Sequence, residues 1–345
     1  MQHFDEPDRL WRFLDRNNEV VRQIETEGYA VVESVIPASE ADHYVKLMWD
    51  FIQTTEPSIK RHRPETWMPK KPDMWPCAQA DMFQVREAGW LLGSLKEIVA
   101  TSVFEPLFGR RELHVSKDGF TLQRPTTGGR QQAPHDHYDQ GGHKFGLQCI
   151  QASIALTDQE ADDGCFQVWP RSHLYHQEML QAGPDRGDFV ALNAAQREYL
   201  NSKGVQAKRV PVKRGTVILW RSDVVHCGAP PLGKRDNFRA VAYICCLPAA
   251  LTPPAMYEQK AEAFRQLHTG SHWPCQEVWF KRGRPNLKPY FRAAGGKHDV
   301  HMTARLRQLY GLDRYDDEDV LPRGQDGDNE GQEGVAEAEV RTGRR

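Results

Sequence analysis

The chain has 345 residues, of which 39% are hydrophobic and 27% are charged, and its formal net charge at pH 7 is −2. The length suits one elaborated domain, and the near-neutral charge without a dense Lys/Arg tract argues against a nucleic-acid-binding protein. The chain has seven cysteines but no Cys-x-x-Cys pair. It also has no secretory signal and no apolar run of the roughly 20 residues that cross a bilayer. We therefore expect a cytoplasmic protein with reduced thiols.

A helix, a strand and a second helix are predicted first. Apolar residues recur at helical spacing within residues 9–24, and Gly28-Tyr-Ala-Val-Val32 is typical of a strand. Ser39 followed by Asp42 resembles a capping box, which places the start of a helix there. Apolar residues then repeat at intervals of three and four, so an amphipathic helix is predicted over about 40–52.

The next segment combines a long loop with a helix. Residues 55–80 contain many Pro, Lys and Trp residues without a period, and we interpret them as either a lid or a plain surface loop. A further amphipathic helix is predicted from the spacing of Leu91, Leu95, Ile98, Val99 and Val103. Two more helices are predicted near 256–267 and 303–310.

Short strands dominate the middle of the chain. Gly, Pro, Asp and Ser residues separate the apolar runs, which lie at 113–123, 147–156, 165–169, 207–212, 216–220 and 238–247. Several short strands with such punctuation are typical of a sandwich or barrel.

The last thirty residues, 316–345, contain ten acidic and four basic residues and no aromatic residue. Such a segment buries too little apolar surface to offset the entropy lost on ordering. We therefore expect a single domain over 1–315 followed by a disordered acidic tail over 316–345.

The segment Pro134-His-Asp-His-Tyr-Asp-Gln140 contains the first candidate metal ligands. Residues two apart on a strand share a face, so His137 and Asp139 are expected to project together. His226, which follows the apolar run at 216–220, is the best candidate for a third ligand. Two histidines and one carboxylate that leave further metal positions open form a set that binds Fe(II) for oxygen chemistry. Each signal alone has an ordinary alternative. The His137-x-Asp139 pair could occur by chance, and His226 could be a hydrogen-bonded histidine of the core.

Arg239 supplies a further signal, thirteen residues after His226. On a strand it shares a face with Val241 and Tyr243, where an unpaired charge would be costly, so it needs an anionic partner. Its planar fork suits a carboxylate. A structural ion pair with Asp223 or Asp236 is the alternative.

The pattern His137-x-Asp139…His226…Arg239 resembles the motif of the phytanoyl-CoA dioxygenase (PhyH-like) family. The strand at Gly28 and the segment Gly164-Cys-Phe-Gln-Val-Trp-Pro-Arg-Ser-His173 are similar to two more segments of that family. The likeness covers roughly residues 25–250. It implies a mostly β fold with flanking helices around a double-stranded β-helix (jelly-roll, cupin-like) core.

The resemblance also implies an activity. His137, Asp139 and His226 would bind Fe(II), and Arg239 would grip the distal carboxylate of 2-oxoglutarate. The protein would then be a dioxygenase that uses O2 to hydroxylate a small organic substrate, with ascorbate as a candidate reductant. Related halogenases lack the carboxylate at the position of Asp139, so its presence favours hydroxylation.

Other histidines compete with this motif, and two positions depart from it. His135 shares a face with His137, but Gly141 stands where a cupin would have a glutamate, so His135 is assigned to the pocket wall. Asp136 should point away from the metal, and His272 is expected to cap or pack against the barrel. By resemblance, His173 has a structural role. The departures are Arg171, in place of a family glycine, and the turn Arg221-Ser-Asp223, whose charges are reversed relative to many relatives.

Two other function classes remain open. A catalytically silent jelly-roll that binds a small ligand would need no metal, which leaves the complete motif unexplained. A zinc-dependent hydrolase could use the same three ligands with an open fourth position, but it would have no use for Arg239. Nothing in the sequence is specific for a coenzyme A thioester.

Overall fold

A computed structural model describes residues 9–67, 74–77, 81–125, 134–180, 187–232, 237–293 and 298–316. The predicted tail lies outside the described residues after Asp316. No helix in these ranges is both long enough and apolar enough to cross a membrane.

The strands of these ranges are short. They are β1 (Tyr29–Val32), β2 (Met82–Phe83), β3 (Leu113–Val115), β4 (Phe120–Gln123), β5 (His137–Tyr138), β6 (Ile150–Ala155), β7 (Cys165–Val168), β8 (Val190–Ala191), β9 (Lys208–Val210), β10 (Val217–Arg221), β11 (His226–Ala229) and β12 (Arg239–Pro248).

Helices flank the strands at both ends of the chain. They are α1 (Glu19–Glu27), α2 (Ala38–Thr55), α3 (Ala88–Leu91), α4 (Gly93–Val99), α5 (Glu105–Phe108), α6 (His176–Leu180), α7 (Ala194–Ser202), α8 (Pro254–Arg265), α9 (Pro289–Ala293) and α10 (Ala304–Leu309). Short 3-10 turns at Arg9–Phe13, Pro64–Thr66, Ser172–Tyr175 and Ala249–Leu251 and a π-helical turn at Ala100–Phe104 complete the helical structure.

The strands form two sheets in which all pairings between strands are antiparallel. The larger sheet has the order β1-β10-β6-β12-β4-β2, with β3 also paired to β12. The smaller sheet has the order β8-β5-β11-β7-β9. Sequence neighbours are rarely sheet neighbours, as expected when a chain passes back and forth between two layers. The predicted mostly β, double-stranded β-helix core with flanking helices is confirmed.

Apolar packing leaves one part of the space between the sheets open. The main cluster lies between the helices and the larger sheet, where Phe51 of α2 contacts Phe83 and Phe120 at ring-centroid distances of 6.4 and 5.7 Å. A smaller cluster between the two sheets includes Phe166 of β7 and Trp220 of β10, 4.7 Å apart. A cavity lies beside this smaller cluster and includes both of these aromatic residues in its wall.

The N-terminal predictions need two corrections. The single helix predicted over 9–24 is a 3-10 turn followed by α1, which begins where the Asn18 side chain accepts a hydrogen bond from the Val20 amide at 2.9 Å. The proposed capping box is wrong, because α2 begins at Ala38, so Ser39 lies inside the first turn. The strand at Tyr29–Val32 and the body of α2 are where the sequence predicts them.

The segment at 55–80 is not a plain surface loop in its described part. Trp67 and Trp75 are buried, and their rings lie 4.6 and 6.5 Å from that of Phe238. Aromatic side chains bury large apolar areas, so this contact fixes the segment onto the body of the protein. Residues 68–73 and 78–80 lie outside the described residues.

Several other elements differ from the prediction. The helix predicted from Leu91 to Val103 is divided into α3, α4 and the π-helical turn, and the run 113–123 contains two strands. The short strands β2, β8 and β11 and the helices α5, α6, α7 and α9 were not predicted, whereas the segment at His137, which was expected to be a strand, contains β5. All seven cysteines are free and buried, as expected of reduced thiols.

Candidate metal centre

The three predicted ligands lie together between two neighbouring strands. His226, the first residue of β11, pairs directly with His137 of β5, and Asp139 follows β5 immediately. One ligand atom from each of the three residues lies within 4.8 Å of the other two. Asp139 Oδ1 lies 3.5 Å from His137 Nε2, and Asp139 Oδ2 lies 3.3 Å from His226 Nε2.

Backbone carbonyl groups orient both imidazoles. His137 Nδ1 lies 2.7 Å from the His135 carbonyl oxygen, and His226 Nδ1 lies 3.0 Å from that of Val224. A carbonyl oxygen only accepts, so Nδ1 carries the proton in each ring and Nε2 presents its lone pair towards Asp139. The Asp139 amide donates to the Ser222 carbonyl at 3.1 Å, which ties the carboxylate to the turn before β11.

The electrostatics of the site favour the protonation states that a metal requires. Burial lowers the pKa of His137 to about 4, although Asp139 acts in the opposite direction. Burial alone would raise the pKa of Asp139, but His137, His272 and His226 together hold it well below its usual value. Neutral imidazoles and an ionised carboxylate are the forms that coordinate metal ions. Two imidazole nitrogens and one carboxylate oxygen fit Fe(II) with open positions, and they also fit zinc.

The ligands open onto a cavity of about 720 Å³ that also contains Arg239. Arg239 is the first residue of β12 and pairs with Gln123 of β4 across the larger sheet. Its side chain enters the space between the sheets next to Gly228, where an added Cβ would lie 3.2 Å from the guanidinium. The metal ligands and the arginine therefore share one cavity.

Arg239 is buried without a counter-charge among the described residues. It is 4% exposed, and its Nε atom has no hydrogen-bond partner. Asp223, one of the two alternative partners, is held by Arg221 through two bonds of 2.7 Å. The other, Asp236, lies outside the described residues.

Two glutamines that line the cavity also have unused polar atoms. Gln123 Oε1 and Gln151 Nε2 are buried without hydrogen-bond partners, and both residues line the cavity. Buried polar groups in native proteins normally have partners, so these atoms and Arg239 indicate a site for a polar anionic ligand. A carboxylate is the ligand that a guanidinium fork matches best.

The predictions for His135, Asp136 and His173 agree with the positions of these residues. His135 lies in the cavity wall, and its ring stacks on that of His137 with centroids 5.4 Å apart. Asp136 points away from the ligands and accepts a hydrogen bond from Gln167 at 2.8 Å. His173 lies outside this cavity, with Nε2 3.2 Å from the Glu25 carbonyl oxygen.

The two departures from the family pattern have local explanations. Arg171 adopts a φ of +68°, the left-handed conformation that favours glycine, so the backbone keeps its form with a less favourable residue. Arg221 and Asp223 form a buried bidentate ion pair within one turn. The reversed charges therefore still pair with each other.

Sequence reasoning missed two side chains of the cavity. His272, which was expected to cap or pack against the barrel, lines the cavity, and its Nε2 atom is buried without a hydrogen-bond partner. Trp220 also lines the cavity, and its indole N–H donates to His226 Nε2 at 3.1 Å. The alternation of β10 could have placed Trp220 on an inward face, but nothing near His272 in the sequence indicates the cavity.

A family model described as phytanoyl-CoA dioxygenase (PhyH) matches residues 24–236. No curated protein matches the chain.

Distant likenesses to solved structures accompany this match. The chain is 20% identical to the non-haem α-ketoglutarate-dependent carbocyclase SnoK from nogalamycin biosynthesis, over 70% of this chain and 86% of that one, with a TM-score of 0.46. It is 16% identical to EctD from S. alaskensis with 2-oxoglutarate and 5-hydroxyectoine, over 70% and 82% of the two chains, with a TM-score of 0.46. It is 15% identical to HygX from Streptomyces hygroscopicus with nickel and 2-oxoglutarate bound, over 68% and 86%, with a TM-score of 0.43.

Proposed function

The chain belongs to the phytanoyl-CoA dioxygenase (PhyH) family, and on this premise we propose that it is a non-haem Fe(II)- and 2-oxoglutarate-dependent oxygenase. The observation that carries the proposal is that one cavity contains both the three-ligand cluster and the unpaired, buried Arg239. A zinc-dependent hydrolase would use the ligands but would leave the arginine without a purpose. A silent binding protein would need neither.

The three ligands would hold iron on one face. His137 Nε2, His226 Nε2 and a carboxylate oxygen of Asp139 would occupy three of its positions, because the other nitrogen of each imidazole is engaged by a backbone carbonyl. The bound iron with 2-oxoglutarate and O2 supplies the oxidising chemistry, in which one oxygen atom enters the substrate and the other enters succinate as CO2 is released. The protein contributes geometry and the exclusion of water.

Arg239 would bind the distal carboxylate of 2-oxoglutarate and so orient the keto acid end towards the metal. The guanidinium offers two parallel N–H donors, and burial strengthens the pair because water does not compete there. Gln123 and Gln151 lie in the same wall with unused polar atoms that can bond the co-substrate. Phe166 and Trp220 form an apolar side of the cavity beside His226.

We further propose that the reaction is the hydroxylation of a small organic molecule. Asp139 occupies the ligand position that is empty in related halogenases, so the site has no gap for a halide. The net change is balanced: a C–H bond becomes C–OH while 2-oxoglutarate and O2 become succinate and CO2.

The test uses anaerobic protein loaded with Fe(II) and titrated with 2-oxoglutarate. Chelation of the metal by the keto acid is expected to produce a visible metal-to-ligand charge-transfer band that saturates with 2-oxoglutarate. The same titration on Zn(II)-loaded protein is the matched control and should give no band. Iron-loaded protein without a band would rule out the oxygenase, whereas succinate release in the presence of O2 would support it.

A further inference from the structure

A second arginine, Arg284, lines the same cavity in the segment 271–286, between α8 and α9. Its guanidinium lies over the ring of Phe280, 4.6 Å from the centroid, and its backbone amide donates to the Gln84 carbonyl at 3.3 Å. The preceding Gly283 has a φ of +69°, a left-handed turn that brings the chain back to the cavity. Within the described residues, the side chain of Arg284 has no hydrogen bond or ion pair to another residue.

The acidic residues of the cavity wall are already engaged by other cations. Asp188 accepts from Lys144 Nζ at 2.7 Å. Asp118 accepts from Ser116 Oγ at 2.5 Å and lies 3.7 Å from Lys96 Nζ. Asp139 belongs to the metal centre. Arg239 and Arg284 are therefore the two arginines of the described wall, and neither has a counter-charge there, so the half-buried Arg284 is available to an anionic ligand.

His272 lines the same cavity as this arginine and the three metal ligands. Its pKa is lowered chiefly by burial, while Asp139 acts in the opposite direction and Arg284 adds to the lowering, so both charges lie within electrostatic reach of its ring. His272 Nε2 is buried without a hydrogen-bond partner. This atom is therefore available for a hydrogen bond to a ligand in the cavity.

Several side chains of the cavity wall are apolar. They include Phe189, Trp273, Val278 and Phe280. Phe189 and Val278 are 55% and 64% exposed, which places them at the mouth, and the Phe189 ring lies 4.5 Å from that of His137. Such a surface favours a ligand with an apolar body next to its charged group.

We propose that the substrate is a small organic anion, in which a carboxylate or phosphate group binds Arg284 and an apolar body leads past His272 to the metal. This inference rests on the proposed function, because the metal centre defines the reacting end of the molecule. Arg239 and Arg284 then divide the cavity into a co-substrate end and a substrate end. The guanidinium fork suits either oxyanion.

The test measures binding with acid and amide pairs that differ only in charge. The probes are 3-phenylpropanoate and 3-phenylpropanamide, hexanoate and hexanamide, and phenyl phosphate as the phosphate arm. Calorimetric titrations use anaerobic Fe(II) protein with saturating 2-oxoglutarate, so that Arg239 is occupied. They compare the parent protein with Arg284→Gln and with Arg282→Gln, a matched control at a neighbouring exposed arginine that does not line the cavity.

The parent protein and Arg282→Gln should bind the acids about 10- to 100-fold more tightly than the amides, the range typical of hydrogen bonds to a charged group. Arg284→Gln should lose this discrimination, and Arg284→Lys should recover part of it because the charge returns without the fork. If Arg284→Gln does not fold, Arg284→Lys still tests the inference, because its discrimination between acids and amides should be weaker than that of the parent protein.

Equal binding of acids and amides by the parent, no binding of any acid, or discrimination that survives in Arg284→Gln would each overturn the inference. If the charge-transfer band with 2-oxoglutarate is present in those cases, the proposed function stands and only the substrate class is wrong. If the band is absent from the iron-loaded parent, both fail. A stronger effect for phenyl phosphate than for the carboxylates would identify the phosphate as the preferred group.

Discussion

The indole N–H of Trp220 donates to Nε2 of His226 at 3.1 Å, and this is the same atom that faces Asp139 in the candidate metal centre. With its proton on Nδ1, the His226 ring has one lone pair at Nε2, so the indole and a metal ion compete for it. Metal binding must break this hydrogen bond.

Replacing Trp220 with phenylalanine should therefore tighten Fe(II) binding. A neutral hydrogen bond contributes about 0.5–1.5 kcal/mol, so the gain should be up to about tenfold. Anaerobic competition with a chromophoric chelator would measure it. Trp90→Phe is the control, because the Trp90 indole is buried but bonds the His268 carbonyl away from the cavity. Weaker iron binding by Trp220→Phe would show instead that the indole supports the site.

Arg239→Ala should weaken 2-oxoglutarate binding while iron remains bound. Breaking a buried charge pair typically costs about 2–5 kcal/mol, which corresponds to a loss of roughly 30-fold to a few thousandfold. Arg239→Lys should recover part of the affinity, because the charge remains but the fork is lost. The charge-transfer titration gives the 2-oxoglutarate affinity of each variant. A variant that loses thermal stability but binds 2-oxoglutarate like the parent would show that Arg239 has a structural ion pair.

The ligand assignment predicts which substitutions remove iron. His137→Ala, Asp139→Ala and His226→Ala should each weaken Fe(II) binding strongly, as measured by iron content after anaerobic loading and desalting. His135→Ala should largely retain iron, and it is a close control because its ring stacks on His137 from two residues away. His173→Ala should also retain iron. Iron loss in His135→Ala with retention in His137→Ala would mean that His135, and not His137, is the ligand.

Stability should fall in acid because of buried histidines outside the metal centre. Burial lowers the pKa of His173 to about 4 and holds that of His114 well below its usual value. A histidine in the unfolded chain has a pKa of about 6.5, so below this pH the unfolded chain binds protons that the folded protein does not bind. The stabilisation is therefore complete above pH 6.5 and is lost as the pH falls towards 4.

The slope of this loss is measurable. Each such histidine should contribute about 1.4 kcal/mol per pH unit to the free energy of unfolding within that window. Urea unfolding of apo protein at pH 7, 6 and 5 should give a slope that is smaller by about this amount in His114→Gln, which has no titrating ring. Identical slopes in the two proteins would contradict the prediction for His114.

Removal of the acidic tail over 316–345 should leave the melting temperature and the iron content nearly unchanged. The reason is compositional, since a segment with ten acidic residues and no aromatic residue has little apolar surface to pack. Scanning calorimetry and iron analysis of full-length and truncated protein would check it. A clear drop in either quantity would mean that the tail docks on the body of the protein.

Much of the fold and of the metal centre follows from local sequence rules. The alternation of side chains in extended backbone predicts from the sequence alone that His137 and Asp139 project together. Runs of β-formers separated by turn residues indicate most of the longer strands, including β6, β10 and β12, because those signals lie within a few residues of each other. The position of Arg239 on an otherwise apolar strand face likewise indicates an anionic partner from the residue pattern alone.

Tertiary structure decided what lies opposite these residues. His226 faces His137 because β11 pairs with β5, and a strand of two residues has no sequence signal that would fix this register. The sequence left Asp223 open as a partner of Arg239, and only the structure shows that Asp223 pairs with Arg221 instead. His272 and Arg284 reach the cavity from a segment whose turns are ordinary in sequence. Local patterns determine the direction of a side chain, whereas its neighbours depend on contacts between residues that are far apart in the chain.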